Sequence, residues 1–176
     1  MLVKSLVALL AISASASPIK RDAATVLSDL ETIVSEVGTF QTDFDNWDGS
    51  VDSEVSVLFA DYLALENDLN TAISDTEAVS SLTDSETSSI TNELEALGPA
   101  LMVALEVMML KQPDVVAAGS EALWLTILET LDGDFNTLAA DLGTLATTTT
   151  ATEAQGVVFT DVDTAFASAI AAYSES

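Results

Sequence analysis

The chain has no cysteine and no histidine, and only four lysines and arginines stand against 29 aspartates and glutamates. Without cysteine there is no disulfide framework, so packing alone must stabilise the fold. Without imidazole or thiol there is no serine or cysteine triad, and no histidine- or thiolate-bound transition metal. The formal net charge of −25 excludes nucleic acid and anionic membranes, because phosphates are repelled. With so many acids, no carboxylate spacing singles out a glycosidase pair, and no Gly-x-Ser-x-Gly elbow occurs. A calcium reading of Asp43 to Gly49 fails on register, since the glycine is one position late and Trp47 stands where a ligand is needed. No catalytic residue, metal or cofactor is implied. What the chain has in quantity is apolar surface, at 49% hydrophobic residues.

The N-terminus carries targeting signals. Lys4, the apolar stretch Leu6 to Ile12 and Ala14-Ser15-Ala16 read as a secretory signal peptide over residues 1–16, ending at Ala16. Residues 17–21 read as a short propeptide closed by the dibasic site Lys20-Arg21, leaving 22–176 as a single helical-bundle domain. Removing residues 1–21 takes three of the four basic residues and no acidic one, so Lys111 becomes the only cation. No later apolar run approaches the roughly 18 residues of a transmembrane helix. The expected location is extracellular, and a domain of roughly 150 residues buries roughly 70% of its unfolded surface. No Asn-x-Ser/Thr sequon occurs, whereas stretches such as Thr147 to Thr150 leave O-glycosylation open.

Apolar residues recur in steps of three and four, the period of an amphipathic helix. The first segment places Val26, Leu30, Ile33, Val37, Phe40, Phe44 and Trp47 on one face, before Asp48-Gly49. The second runs through Val51, Val55, Leu58, Tyr62, Leu65, Leu69 and Ile73. Thr83-Asp84-Ser85-Glu86 has the form of a capping box for the third, with Ile90, Leu94, Leu97, Leu101, Leu105 and Met108 behind it. Gly98-Pro99 predicts a kink there that separates the third helix locally from its partners. Residues 112–119 read as a connection, and Ser120 as the cap of a fourth helix carrying Leu123, Ile127, Leu131, Leu138, Leu142 and Leu145. Thr150 to Glu153 reads as a second capping box, opening a fifth helix with Val158, Val162, Phe166, Ala169 and Tyr173. The fold class is all-α: an antiparallel up-and-down bundle of about five amphipathic helices, with short loops implying antiparallel neighbours.

Such stripes serve either as ordinary core or as the lining of an interior that holds a ligand. The candidate hydrophobic-binding residues are Phe40, Phe44, Leu94, Leu97, Leu101, Met102, Leu105, Met108, Trp124, Ile127, Leu131 and Phe166, centred on the first, third and fourth helices. Met102, Met108 and Met109 add thioethers that adapt to irregular contents. Lys111, placed near the end of the third helix, suits a negative helix terminus better than a carboxylate anchor.

Three stretches together resemble a fungal secreted family, the hydrophobic surface-binding protein A and cell-wall galactomannoprotein family. They are Ser17-Pro18-Ile19-Lys20-Arg21-Asp22, Trp47-Asp48-Gly49, and Leu105 through Lys111-Gln112-Pro113 to Gly119. Asp114-Val115-Val116 departs from it, lacking an aromatic after the proline. The resemblance implies a secreted, non-catalytic helical protein that binds hydrophobic surfaces or long-chain fatty acids, with a secreted polymer hydrolase as a candidate partner. It also implies association with the cell wall. The competing expectation is a structural or antigenic cell-wall mannoprotein with no specific ligand.

Overall fold

The computed structural model describes residues 22–49 and 54–175. The signal and processing residues Ala16, Lys20 and Arg21 lie outside the described residues, as does Val51. Among the described residues five helices follow one another: α1 (Ala23–Asn46), α2 (Glu54–Glu77), α3 (Asp84–Ala117), α4 (Glu121–Leu145) and α5 (Thr149–Ser174).

Local chemistry explains most of the boundaries. Asp22 caps α1 by accepting from the Thr25 amide at 3.0 Å. The expected capping box opens α3: Thr83 Oγ1 accepts from the Glu86 amide at 3.3 Å, and Glu86 Oε2 accepts from the Thr83 amide at 2.7 Å. The expected connection over 112–119 is instead mostly helix, because α3 continues through Pro113 to Ala117. Proline there leaves only the carbonyl four residues back without its donor. The stop is a Schellman turn: Gly119 adopts φ +67, the Ser120 amide donates to the Val115 carbonyl, and the Gly119 amide to that of Val116.

That turn also corrects the expected cap of α4. Ser120 occupies the N-cap position but makes no side-chain cap bond; its hydroxyl donates to the Val115 carbonyl at 3.3 Å. In α5 the cap is Thr148, accepting from the Ala151 amide at 3.2 Å, two residues before the expected box. Any threonine of Thr147 to Thr150 has the required hydroxyl, and the chain turns helical after the one with extended backbone.

In chain order the helices run alternately up and down, but space pairs them differently. Around the bundle the order is α2, α1, α3, α5, α4 and back to α2, with α3 also touching α4. The short links predict antiparallel neighbours, as α1 with α2 and α4 with α5 are; the ring also sets α1, α3 and α5 side by side in parallel, and α2 beside α4. Thr91 meets Gln155 near the start of α3 and α5, and Met108 meets Tyr173 near the end of both. The link 78–83 crosses the base of the bundle rather than turning tightly, with Val79 and Leu82 buried beneath it. We call the end holding the starts of α1, α3 and α5 the base, and the opposite end the apex.

The apolar stripes of α1 and α3 are buried as expected, from Val26 to Phe44 and from Ile90 to Met108. On α4 the expected stripe is buried at Ile127, Leu131, Leu138 and Leu142, but its first position is not: Leu123 is exposed and the neighbouring Trp124 is fully buried in its place. Gly98 does not mark a separation of α3 from its neighbours. A Cβ there would lie 2.7 Å from Val158 Cγ1, so glycine is what lets α5 pack closely against α3.

Candidate functional site

A ring of five helices encloses more space than a ring of four. Axes roughly 9–10 Å apart place the centre about 8 Å from each axis, against about 7 Å in a square. Long side chains must therefore fill it. At the apex the filling is aromatic: Phe44 meets Trp124 edge-to-face with centroids 4.9 Å apart, Trp47 at 5.9 Å and Phe40 at 5.6 Å. This edge-to-face geometry suits the ring quadrupoles. Trp124 Nε1 is buried with no partner among the described residues, which costs about 1–3 kcal/mol.

Two donors brace the apex through backbone carbonyls. Lys111 Nζ donates to the Trp47 carbonyl at 2.7 Å. Lys111 thus serves a helix terminus, but that of α1, since α3 extends beyond it. The Tyr173 hydroxyl donates to the Met108 carbonyl at 2.8 Å, and burial raises its pKa above the ordinary tyrosine value.

Below the aromatic cluster lies an apolar void of about 10 Å³, about the size that admits one water-sized sphere. Every helix contributes to its wall: Val37 and Phe40 from α1, Leu65 from α2, Leu101, Ala104, Leu105 and Met108 from α3, Leu131 from α4 and Phe166 from α5. Six of the candidate residues meet here, namely Phe40, Leu101, Leu105, Met108, Leu131 and Phe166. Phe44 and Trp124 form the adjoining aromatic roof, while Leu94, Leu97 and Ile127 are buried outside the void's wall. Met102, like Met109, is only partly buried against the core, with Met108 alone of the three turned inward. Val37, Leu65 and Ala104 were not among the candidates. Their place on buried stripes was visible in the sequence, but which stripes converge was not.

Toward the base the interior becomes polar. Gln155 is 2% exposed and its Nε2 donates to Thr91 Oγ1 at 3.0 Å. Thr91 Oγ1 in turn donates to the Thr87 carbonyl at 2.8 Å. Thr87 Oγ1 lies 3.0 Å from Thr147 Oγ1, which donates to Asp84 Oδ1 at 2.7 Å. Gln155 Oε1 is buried and has no partner among the described residues. Gln155 was not among the candidates; its signal was its position one turn after Ala151 and one turn before Val158 and Phe159, in phase with the stripe.

The outer seams are acidic. Burial, then the charge of Asp43 and a hydrogen bond with it, then Glu36, hold the Asp61 carboxyl above the usual value. Burial and then Glu66 do the same at Asp134, and burial and then Asp163 at Asp132. Tyr62 is pushed up to about 12 by burial first and by Glu66 second. No group of three or more metal-ligating side chains converges among the described residues, and no described helix is long and apolar enough to cross a membrane.

Residues 23–144 match the family model of hydrophobic surface binding protein A, HsbA. The chain belongs to the HsbA family. The motif resemblance is thus confirmed over most of the bundle. Among solved structures, this HsbA-family chain is similar to AFMP4P in complex with palmitic acid, with 34% identity and a TM-score of 0.83, over 86% of this chain and 99% of that one. It shares its fold with ligand binding domain 1 of Penicillium marneffei MP1 complexed with arachidonic acids, at 16% identity and TM-score 0.79, over 86% of this chain and 99% of that one. Ligand binding domain 2 of the same protein, complexed with multiple arachidonic acids, gives 17% identity and TM-score 0.80, over 90% and 99%. No curated protein matches the chain.

Proposed function

We propose that this protein is a secreted, non-catalytic binder of long-chain fatty acids that takes an acyl chain into the centre of its five-helix ring. The observation that carries this reading is the void walled by apolar residues of all five helices, in a chain 34% identical to a relative crystallised with palmitic acid. The void holds about one water-sized sphere, so the helices must part to admit a chain. Transfer of about 14 methylenes out of water at about 0.8 kcal/mol each supplies about 11 kcal/mol to offset that separation. The proposed lining extends the void in both directions, to Phe44, Trp124 and Ile127 above and to Leu97 and Leu94 below, with Met102 at the flank.

Titration of the delipidated protein with a fluorescent fatty acid, displaced by palmitic acid, tests the reading. Saturable binding of about one to a few ligands per chain is expected, and absence of saturation overturns it. A second reading is supported by Leu110, Val157, Val57 and Leu63, large apolar side chains left between 47% and 73% exposed: adsorption to hydrophobic surfaces, as the family's description indicates. Retention on hydrophobic beads by protein already loaded with fatty acid would separate adsorption from carriage. A structural cell-wall role without a ligand predicts neither saturable binding nor retention. Processing after Ala16 and Arg21 would leave Asp22, the cap of α1, as the first residue; N-terminal sequencing of secreted protein checks this.

A further inference from the structure

The polar base of the core contains a feature that packing does not require: a glutamine amide, buried on the apolar stripe of α5, with its oxygen unpaired among the described residues. The direction of its hydrogen bonds is determined. Thr91 has one hydroxyl hydrogen and gives it to the Thr87 carbonyl, an acceptor only. Thr91 must therefore accept from Gln155, which sets Nε2 toward Thr91 and Oε1 away from it. Beyond Thr91 the sequence of donors runs outward, from Thr87 through Thr147 to Asp84. Among the described residues no donor points back, and Gln155 Oε1 has no partner. A primary amide has two N–H groups, and only one goes to Thr91. Gln155 Oε1 is thus a buried acceptor without a partner among the described residues, on an amide whose Nε2 carries a second hydrogen.

We infer that Gln155 is the headgroup site for the ligand's carboxyl group, and that it takes this group as the neutral acid. The inference rests on the fatty-acid reading above. The acid O–H donates to Gln155 Oε1, and the acid carbonyl accepts the second Nε2 hydrogen, an arrangement that a carboxylate, having no hydrogen to give, cannot complete. The one described cation does not alter this. Lys111 is about 30 Å farther along α3 than Thr91 and is bonded to the Trp47 carbonyl.

The distances suit an acyl chain. From the level of Thr91 to that of Leu101–Leu105 is about 15–20 Å of helix, close to the roughly 15 Å that one acyl chain fills in half of a bilayer core. Leu94 and Leu97, both fully buried, lie between the two levels. A headgroup at Gln155 therefore places the tail in the void beneath the aromatic roof. Thr91 also lines a surface hollow of about 200 Å³ in the groove between α3 and α5, the side on which this site approaches water.

The test uses palmitic acid and methyl palmitate, each displacing a fluorescent fatty acid from delipidated protein between about pH 4 and about pH 8. The wild type is expected to prefer the acid by about tenfold at the acid end, the effect of giving a donor to a buried acceptor, and to lose that preference as pH rises through the carboxyl's ionisation. Gln155→Leu should bind both ligands alike with no pH-dependent preference. Gln155→Met serves as a second variant of similar shape should the first fail to fold. Thr91→Val, which leaves the amide in place but removes its orienting partner, should reduce the preference. An acid-to-ester ratio and pH profile unchanged in the Gln155 variants overturn the headgroup assignment alone. Absence of saturable binding of either ligand to the wild type overturns the fatty-acid reading, and the assignment with it.

Discussion

At the apex, the bundle interior is closed by Phe40, Phe44, Trp47 and Trp124, braced by Lys111 and Tyr173 on backbone carbonyls. At the base Val79 and Leu82 of the link 78–83 are buried beside the hydroxyls of Thr87, Thr91 and Thr147 and the amide of Gln155. Among the buried polar atoms without a partner in the described residues are a donor at the apex, Trp124 Nε1, inside an aromatic cage, and at the base an acceptor, Gln155 Oε1, on an otherwise apolar helix stripe, besides the Thr76 hydroxyl at the end of α2. The same tube therefore has an oily end and a hydrogen-bonding end, with an apolar void between them. That asymmetry is what an amphiphile can follow.

The comparison breaks most easily at the apex. Phe44→Ala removes the ring that touches three other aromatics and should cost about 3–5 kcal/mol, read from urea denaturation; a loss below about 1 kcal/mol would mean that the aromatic cluster does not close this end. Between the two ends, Gly98→Ala drives a Cβ into Val158 and should cost about 1–3 kcal/mol from overpacking, less about 1 kcal/mol of helix propensity regained. Adding Val158→Ala should restore the thermal midpoint of the single Gly98→Ala variant, and no restoration would place the strain elsewhere.

Single hydrogen bonds sharpen the contrast. Lys111→Met removes the brace on Trp47 and should cost about 1–2 kcal/mol, whereas Thr87→Val at the base should cost about 1 kcal/mol or less, since Thr147 keeps its bond to Asp84. Equal losses in chemical denaturation would erase the distinction between a braced apex and an adaptable base.

The smallest effect is electrostatic and separates the seams from the base. Asp61, Asp132 and Asp134 have raised folded values, so they bind more protons folded than unfolded in the window just above 3.8. Their contribution grows as pH falls from neutrality through those folded values. Asp22 and Glu86, which cap α1 and α3 at the base, are lowered, chiefly by hydrogen bonds from the Thr25 and Thr83 backbones. Their contribution is complete above the unfolded values of 3.8 and 4.5 and is lost only as pH falls through the lower folded ones. The thermal midpoint should therefore rise on mild acidification and fall at stronger acid. Asp61→Asn should flatten the rise, adding a few tenths of a kcal/mol at neutral pH, as relief of a like-charge pair does. A midpoint falling monotonically from neutrality would contradict the assignment of acid–acid strain to the seams.

Much of the fold was legible because it is local. The stripes of α1 and α3, the α3 capping box and the five helices follow from spacings within three or four residues. Errors arose where two local solutions were nearly equivalent. A run of threonines offered several caps for α5, and Ser120 could cap α4 or close the turn of α3. Pro113 stood close enough to a helix end for the helix to absorb it. The candidate site was legible as a set of apolar residues, six of which meet at the void, but not as a place. Gln155 was missed because a polar residue on an apolar stripe becomes informative only when its neighbours are known.

The sequence alone determined that this chain forms amphipathic helices with anionic outer faces, because helix periodicity and capping are set by side chains within one or two turns of each other. Only the tertiary structure decided that α1, α3 and α5 stand side by side in parallel, that Gly98 is a close contact rather than a point of separation, and that Lys111 caps α1. It alone placed aromatic rings at one pole and a buried amide with an unpaired oxygen at the other. Such pairings join residues some 60 positions apart, where chain entropy leaves the partner free and only the packing of the whole ring selects it.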